Sequence, residues 1–402
     1  MKVLFFIPDG MGCYVRIEPI MKHLKQLGNT IGVYSFSVPK QILSDSDYIN
    51  VEINVAKIDK YPLFQPIPYY KTLEYYYGIY GFGDDNKLNN DLSNYEKAIM
   101  SFQPDLIISN LDIYANIIAK KLHIPLISII QGFFHPDLYK KKIFWWSKDE
   151  IKDGKLGNII LNNINKILSS YNVLPIDMIQ KLFVGNCTLI PSFYEFDRVE
   201  NNKIIYYKPT VEGANIHNCE MNFEYLFDEN TIFVYLGRLQ EYLTGDLAKQ
   251  LLRSLQDVVD EYDYKLLVSA SYNKGYLNFE HKKINIIESW IPADVIYNKS
   301  KLVVHHGGHS SCMSSLIYKK PSLIIPSNTE RLYNAKAMEY LGCGLNVTLQ
   351  ECVQQPRLFF EYVNKMIKEY EFYLKNTRIC NQKLNDEINF SEAITTAINT
   401  IF

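Results

Sequence analysis

The segment that follows Leu302–His305 combines the residue types best suited to binding phosphate. This apolar run predicts a strand, and it continues as His306-Gly307-Gly308-His309-Ser310-Ser311 and then as a predicted helix through about Tyr318. A strand that enters a helix through a glycine turn presents main-chain N–H groups at the positive end of the helix dipole. Glycines allow a ligand to approach closely, and His306 and the serines add hydrogen-bond donors. We therefore predict a phosphate site at residues 306–311.

Two further features bear on the charge of this site. Gly237-Arg238 follows a second predicted strand, where Arg238 could bind phosphate through two hydrogen bonds or could be a surface residue on a tight turn. The cluster His305, His306 and His309 suggests zinc, but no Cys or acidic partner nearby completes a set of three or four ligands. We expect no metal site.

Four linked blocks of the C-terminal half resemble the donor-binding signature of the UDP-glycosyltransferase superfamily. The family pattern W-x-P, H-x-G-x-x-S and P-x-x-x-D/E-Q-x-x-N-A is matched in order and spacing over about 55 residues. The blocks are Trp290-Ile291-Pro292, the glycine turn at 306–311, the segment at 326–335, and Leu341-Gly342-Cys343-Gly344. Members of the superfamily are inverting two-domain enzymes of the GT-B fold that move a sugar from a nucleotide diphosphate to an acceptor.

The resemblance implies a role for each matched position. Trp290, in the block that ends at Pro292, would stack on the nucleobase, and Glu330 would accept hydrogen bonds from sugar hydroxyls. The diphosphate would be held by the glycine turn, through His306, Gly307, Gly308, Ser310 and Ser311. The resemblance implies no cofactor beyond the nucleotide sugar itself.

Three positions depart from the family pattern. Arg331 replaces the usual Gln beside the acidic residue, Ser314 stands where a ribose-binding Glu is frequent, and Ala293 replaces a common Gln. Each matched residue also has a structural interpretation. Trp290 could be a core aromatic residue, and Glu330-Arg331 could be a carboxylate at a helix start with a solvated neighbour. Asn334-Ala335 and Gly342 are interpreted as helix packing and a helix C-cap.

The loop after the first predicted strand lacks the usual catalytic base. Gly10-Met11-Gly12 begins the dinucleotide fingerprint G-x-G-x-x-G, but Val15 stands at the third glycine, which argues against a dehydrogenase. In the superfamily the base, commonly His, directly follows a glycine, and related branches have an Arg three residues later. Gly12 and Arg16 fit this frame with Cys13 at the base position. The family's partner Asp falls at Asn110.

Four residues remain candidates for the general base, in the order Asp9, His135, Asp112 and Cys13. Asp9 lies four residues before Cys13, and partial desolvation would raise its pKa into a useful range. His135 lies in the loop after the fifth predicted strand. Asp112 would share the face of Asn110 if the strand remains extended there. Cys13 is last because a thiol is a mediocre base.

Elsewhere short apolar runs alternate with amphipathic segments, which is typical of parallel α/β architecture. A strand at Val3–Pro8 precedes a helix with an apolar stripe at Ile17, Ile20, Met21, Leu24 and Leu27, and the alternation restarts at Thr231–Leu236. We predict a GT-B fold of two doubly wound Rossmann-like domains facing a central cleft. The predicted parts are an acceptor-binding domain at 1–212, a nucleotide-sugar-binding domain at 213–385 and a returning C-terminal helix at 386–402, with an aperiodic linker at about 206–228.

The amino-acid composition limits the kinds of partner and the cellular compartment that we expect for the protein. Over 402 residues, 42 Lys plus Arg against 44 Asp plus Glu give a net charge of −2, so we expect no nucleic acid partner held by bulk charge. Seven scattered cysteines favour thiols in a reducing compartment, and the N-terminal apolar run is too short for a secretory signal. We expect a cytoplasmic protein. A basic and aromatic segment could add peripheral membrane contact or could be ordinary surface, through Lys140, Lys141, Lys142, Trp145 and Trp146.

The sequence thus predicts a metal-independent, inverting glycosyltransferase of the hexosyltransferase type. Its donor would be a UDP- or dTDP-sugar, and its acceptor a small molecule, a lipid or a glycan. Two alternatives remain open. One is a non-catalytic donor-binding or partner protein, suggested by Cys13 and Asn110. The other is a nucleotide-sugar epimerase.

Overall fold

The computed structural model describes most of the chain. The described residues are 1–8, 11–35, 47–55, 73–79, 81–82, 84–140, 155–210, 226–228, 230–235, 237, 253, 255–256, 258–270, 280–288, 293–326 and 328–402. The chain divides into two compact units, one formed by residues 1–210 with 387–402 and the other by residues 211–386. Each unit contains one parallel sheet with flanking helices, so the predicted two-domain α/β architecture is confirmed.

Among the described residues, the sheet of the first unit has seven parallel strands in the order β3-β2-β1-β4-β5-β6-β7. Its strands are β1 (Lys2–Ile7), β2 (Thr30–Ser35), β3 (Ile49–Asn50), β4 (Leu106–Ser109), β5 (Leu126–Ile129), β6 (Cys187–Ile190) and β7 (Ile204–Tyr206). Its helices are α1 (Met11–Gln26), α2 (Leu73–Ile79), α3 (Asp85–Phe102), α4 (Ile113–Lys121), α5 (Pro136–Lys140), α6 (Lys155–Ser170) and α7 (Tyr194–Asp197). Short 3-10 turns occupy Gly132–Phe134 and Ile179–Leu182.

In the described part of the second unit, the sheet has six parallel strands in the order β10-β9-β8-β11-β12-β13. Its strands are β8 (Thr231–Tyr235), β9 (Lys265–Ser269), β10 (Ile284–Ile287), β11 (Leu302–His305), β12 (Ser322–Ile324) and β13 (Gly344–Asn346). Its helices are α8 (Ala293–Lys299), α9 (His309–Ile317), α10 (Thr329–Tyr340), α11 (Leu349–Gln354), α12 (Pro356–Lys368) and α13 (Tyr370–Asp386). The last helix, α14 (Phe390–Ile401), packs in the first unit against β6 and α1.

The predicted apolar stripe of α1 is correct at four of its five positions. Ile17, Ile20, Met21 and Leu24 are buried, whereas Leu27 is 61% exposed. The prediction was wrong at Leu27 because α1 ends at Gln26 and Gly28 then takes a left-handed conformation with φ of 82°. Leu27 therefore lies beyond the helical periodicity that buries the others.

The core of the second unit fixes where its central strands end. Val234 on β8, Leu266 on β9 and Val304 on β11 are fully buried and pack with Phe359 and Val363 of α12. Because β8 and β11 pair in register, with Tyr235 opposite His305, their carboxyl ends meet at one edge of the sheet. Ligands of open parallel sheets bind at this edge.

The predicted linker at 206–228 begins too early. Tyr206 is the last residue of β7, and Lys208 forms a β-bridge with Asn389 just before α14. Both positions therefore belong to the first unit.

Within the described part of the chain, no helix has the length and hydrophobicity needed to cross a bilayer. No disulfide joins the six cysteines in that part of the chain.

Candidate functional site

The predicted strand–turn–helix is present with the bounds that the sequence indicates. β11 ends at His305, residues 306–308 form the turn, and α9 begins at His309 with Gly308 as its N-cap. A Cβ on Gly307 would lie 2.8 Å from the carbonyl oxygen of Arg331, and one on Gly308 would lie 2.6 Å from His306 Nε2. Glycine is required at Gly307, because the neighbouring atom is main chain and φ is 83°, whereas a side chain at Gly308 would have to displace the His306 ring. Ser310 and Ser311 lie in the first turn of α9, and both are half-buried.

His306 sits between the ends of two neighbouring strands. Its ring packs edge-on against Tyr235 of β8, with centroids 5.2 Å apart, and a Cβ on Gly237 would lie 3.1 Å from its Cγ. Burial lowers the pKa of His306 well below its usual value, and the Arg331 and His305 side chains lower it further, against a smaller opposing effect of the Tyr235 carbonyl. The imidazole is therefore neutral at neutral pH. A neutral imidazole has a single N–H, so His306 can donate one hydrogen bond, either to the Tyr235 carbonyl or to a phosphate, and it supplies no positive charge.

His305 has a structural role inside the turn. It is fully buried, and its Nδ1 accepts a hydrogen bond of 3.1 Å from the main-chain N–H of Gly307. Burial lowers its pKa to about 3, so the ring is neutral and its proton lies on Nε2, 3.4 Å from Ser315 Oγ. Both nitrogens are thus engaged, which disfavours zinc binding by this ring. Among the described residues, no group of three or more His, Cys, Asp or Glu side chains could hold a metal ion.

The start of α10 brings Glu330 and Arg331 to the same turn. Asn328 caps the helix by accepting a hydrogen bond of 2.9 Å from the main-chain N–H of Arg331, so Glu330 occupies the first helical turn. One turn later the buried Asn334 donates from Nδ2 to the Gly307 carbonyl at 3.0 Å and to Glu330 Oε1 at 2.9 Å. Gly342 follows the end of α10 with φ of 67°, as the C-cap interpretation predicts. The side chain predicted to bind sugar is therefore linked to the turn predicted to bind diphosphate.

Several predicted site residues lie outside the described residues. They are Asp9, Gly10, Arg238, Trp290, Pro292, Lys141, Lys142, Trp145 and Trp146. Lys140 is described as the last residue of α5.

Gly12, Cys13 and Arg16 were predicted to form a loop, and that prediction was wrong. All three lie in the first turns of α1, because the connection after β1 is short and the helix begins at Met11. Cys13 is half-buried. Arg16 lies near the buried Tyr207, since it partly offsets the rise that burial causes in the pKa of that phenol.

Asn110, at the position of the family's partner Asp, joins three strands. It is fully buried, its main-chain N–H donates to Phe6 O of β1 at 3.0 Å, and its Nδ2 donates to Ile129 O of β5 at 2.8 Å. An amide carries no negative charge, so Asn110 could not stabilise a protonated histidine at position 13, where Cys13 stands, as a carboxylate would. Asn110 therefore has a structural role at this edge of the sheet, where it connects β4 to β1 and β5.

Asp112 does not share the strand face of Asn110, contrary to the condition set for it. β4 ends at Ser109, and Leu111 has φ of 57°, so the chain turns between the two residues. Asp112 is the N-cap of α4: Oδ1 accepts from the Ala115 N–H at 3.0 Å, and Oδ2 accepts from the Tyr95 hydroxyl at 2.9 Å. Burial raises the pKa of Asp112 to about 6, against the lowering effect of its hydrogen-bond donors. Sequence reasoning missed Tyr95, because a tyrosine on a helix 17 residues earlier gives no local signal.

His135 is buried after the 3-10 turn that follows β5. Its Nδ1 accepts a hydrogen bond of 3.2 Å from the Asp137 main-chain N–H. The Gly132 N–H, at the start of the preceding 3-10 turn, donates to Asp197 Oδ1 at 2.7 Å, and this hydrogen bond holds the turn in place. Any proton transfer by His135 would therefore use Nε2.

Known proteins resemble this chain in both sequence and fold. Residues 255–388 match the family model "Erythromycin biosynthesis protein CIII-like, C-terminal domain". A putative UDP-glucuronosyltransferase, ugt-50 of Caenorhabditis elegans, is 22% identical over 42% of the chain, and the chain spans only 33% of that relative's length. Cyanidin-3-O-glucoside 2-O-glucuronosyltransferase of Bellis perennis is 23% identical over 63% of the chain and 62% of its own length.

A solved structure covers the whole chain. The glycosyltransferase VinC, crystallised in complex with dTDP, superposes with a TM-score of 0.69 at 15% identity, covering 100% of this chain and 99% of VinC. The fold is therefore GT-B, and the resemblance to the UDP-glycosyltransferase superfamily that the four sequence blocks predicted is confirmed.

The raised pKa of Asp112 predicts a pH-dependent stability. The folded chain binds this proton with a pKa of about 6, above the roughly 3.9 of an unfolded chain. The stabilisation is complete below about pH 4 and is lost as the pH rises through the folded value. Asp112→Asn keeps a capping oxygen but does not titrate. We expect the melting temperature of wild type minus that of Asp112→Asn to fall as the pH rises over this interval.

Asp228→Asn provides a control of opposite sign. The hydrogen bond from Lys265 lowers the pKa of Asp228, so its carboxylate stabilises the folded state at neutral pH and ceases to do so as the pH falls. The melting temperature of wild type minus that of Asp228→Asn should increase as the pH rises. The difference should be small, because the ion pair of Asp228 with Lys265 is partly exposed. Parallel pH profiles for wild type and Asp112→Asn would contradict the raised pKa.

Proposed function

We propose that the protein transfers a sugar from a nucleotide diphosphate to an acceptor hydroxyl. The observation that carries the proposal is the junction of β11 and α9, where a glycine turn precedes a helix whose first-turn N–H groups suit an anion. A departing diphosphate gains negative charge as the glycosidic bond breaks, so fixed donors directed at it lower the barrier. His306, Ser310 and Ser311 would add side-chain hydrogen bonds.

The donor that we propose is a UDP- or dTDP-sugar. The names of the C. elegans relative and of the VinC complex, which refer to UDP and dTDP, support this choice. Trp290 would stack on the base, and Glu330 would accept hydrogen bonds from the sugar. Glu330 suits this role because its carboxylate is already oriented by Asn334.

Inversion would follow from a single displacement. The acceptor oxygen would attack the anomeric carbon as the bond to the diphosphate oxygen breaks, and a base would take the acceptor proton. We propose that the main-chain N–H groups and Arg331 stabilise the departing diphosphate without a metal, with Arg238 as a further candidate. The neutral His306 would contribute hydrogen bonding. The first unit would bind the acceptor, whether a small molecule, a lipid or a glycan.

A non-catalytic donor-binding protein is the second candidate, and a specific observation favours it. Cys13 and Asn110 stand at both positions of the family's usual His–Asp pair, and Asn110 Nδ2 is bound to the main chain at Ile129 O. A protein of this kind would bind the nucleotide sugar without releasing sugar. A nucleotide-sugar epimerase, the remaining alternative, would instead convert one nucleotide sugar into another.

The donor site is tested by binding. In a thermal-shift panel of UDP-, dTDP- and GDP-sugars, we expect one nucleotide to stabilise wild type. His306→Ala should weaken its binding about tenfold or more, the effect expected from losing a hydrogen bond to a charged group. The matched control is His281→Ala, which removes a half-buried histidine beside β10 in the same unit. This variant should bind the nucleotide like wild type. Equal binding by wild type and His306→Ala would contradict the site.

The base is tested by turnover with the identified donor in buffer containing EDTA, in which we expect wild type to remain active. Asp9→Asn should lower kcat by about 100-fold or more, as expected for loss of a general base, whereas Cys13→Ala should retain most activity. His135→Gln and Asp112→Asn complete the panel of candidates. Full activity of Asp9→Asn would exclude the preferred base. Nucleotide binding by wild type without sugar release would favour the non-catalytic alternative.

A further inference from the structure

Gly307 is the residue on which the geometry of the turn depends. Its φ of 83° lies in the left-handed region, and both of its main-chain polar groups are bound by buried side chains. The N–H donates to His305 Nδ1 at 3.1 Å, and the carbonyl accepts from Asn334 Nδ2 at 3.0 Å. The single N–H donor of Gly307 is therefore already used within the protein. The turn is held from within the protein.

The orientation of the Asn334 amide follows from its partners. Gly307 O and Glu330 Oε1 can only accept hydrogen bonds, so the NH2 group must face both of them, with one hydrogen for each. Asn334 is fully buried, which strengthens both hydrogen bonds and makes loss of the donor costly. One amide thus joins the glycine turn to a carboxylate on α10.

His305 holds the opposite side of Gly307 through a second buried network. Its Nε2 lies 3.4 Å from Ser315 Oγ, which donates to Ser311 O at 3.0 Å and accepts from Ser322 Oγ at 2.8 Å. The members of this network lie on β11, α9 and β12, whereas Glu330 lies on α10. Asn334 therefore differs from His305 in linking the turn to a side chain suited to sugar hydroxyls.

We infer that Asn334 is a positioning residue that couples recognition of the sugar to recognition of the diphosphate. The inference rests on the proposed function. A carboxylate offers about four acceptor positions over its two oxygens, so the hydrogen bond from Asn334 uses only part of that capacity. The position of Glu330 relative to the turn is set by the two hydrogen bonds of a single amide. Loss of Asn334 should therefore weaken diphosphate binding and also remove the affinity that the sugar adds.

A matched control is available in the same unit. Asn381 on α13 is also buried and donates from Nδ2 to a main-chain carbonyl, that of Ile317, at 2.9 Å. It also accepts a second hydrogen bond, of 3.0 Å, from Asn385. Asn381→Ala therefore removes a comparable buried amide without touching Gly307 or Glu330. If Asn334 only stabilised the core, the two substitutions would have the same effect on ligand binding.

The test is calorimetric titration of the full chain with UDP-glucose or dTDP-glucose, whichever stabilises wild type, and with the matching nucleoside diphosphate. Asn334→Ala should raise the Kd for the nucleoside diphosphate about fivefold, the effect of losing one buried hydrogen bond. Asn334→Ala should also abolish the affinity that the nucleotide sugar has beyond that of the nucleoside diphosphate, and Glu330→Ala should do the same. The double variant Glu330→Ala/Asn334→Ala should lose no further sugar-dependent affinity. Asn381→Ala should bind both ligands like wild type.

Asn334→Asp separates the donor role from side-chain volume. It keeps the shape of the residue but directs a carboxylate at two acceptors, so it should bind more weakly than Asn334→Ala, whereas a packing role predicts the reverse. Binding of both ligands by Asn334→Ala and Asn334→Asp in the wild-type ratio would overturn the inference and leave the proposed function intact. Absence of any nucleotide binding by wild type would overturn both.

Discussion

The interaction on which the second unit depends is the pair of hydrogen bonds that hold the Gly307 main chain. A left-handed residue at the end of a buried strand is costly for any side chain, and here a Cβ would also meet the Arg331 carbonyl at 2.8 Å. Because His305 and Asn334 satisfy both polar groups of Gly307, the turn needs no ligand to keep its conformation. A site formed before binding avoids the free-energy cost of ordering it, and such preorganisation stabilises a developing charge effectively.

The two units use the same edge of their sheets in different ways. In the second unit, the residues after β11 include two glycines and the neutral imidazole of His306, which suit an anionic ligand. In the first unit, the residues after β4 are an amide bound by main-chain groups and a carboxyl with a raised pKa, Asn110 and Asp112. A buried carboxyl that is partly protonated near neutral pH is typical of functional sites, although the capping role of Asp112 also explains its presence. The replaced His–Asp pair is therefore a local change on a conventional sheet edge.

The sequence predicted best those features that are set by short-range spacing. The bounds of β11 and the start of α9 were predicted correctly, because a strand of four residues, two glycines and a helix follow one another directly. Cys13 was misassigned to a loop, since Gly10 and Gly12 beside it are poor helix formers and made a turn the favoured interpretation. The partners of Asp112 and Gly307 could not be predicted. Tyr95 is 17 residues from Asp112 and Asn334 is 27 residues from Gly307, and only tertiary packing brings them together.

The central claim is that main-chain N–H groups at the start of α9 bind the diphosphate of a nucleotide sugar. A crystal structure of the protein with UDP or dTDP tests it most directly. The account predicts phosphate oxygens within about 3 Å of main-chain nitrogens in the first turn of α9 and of a His306 ring nitrogen, with Gly307 unmoved. A diphosphate bound elsewhere on the chain, with the turn at 306–308 contacting only protein atoms, would contradict it.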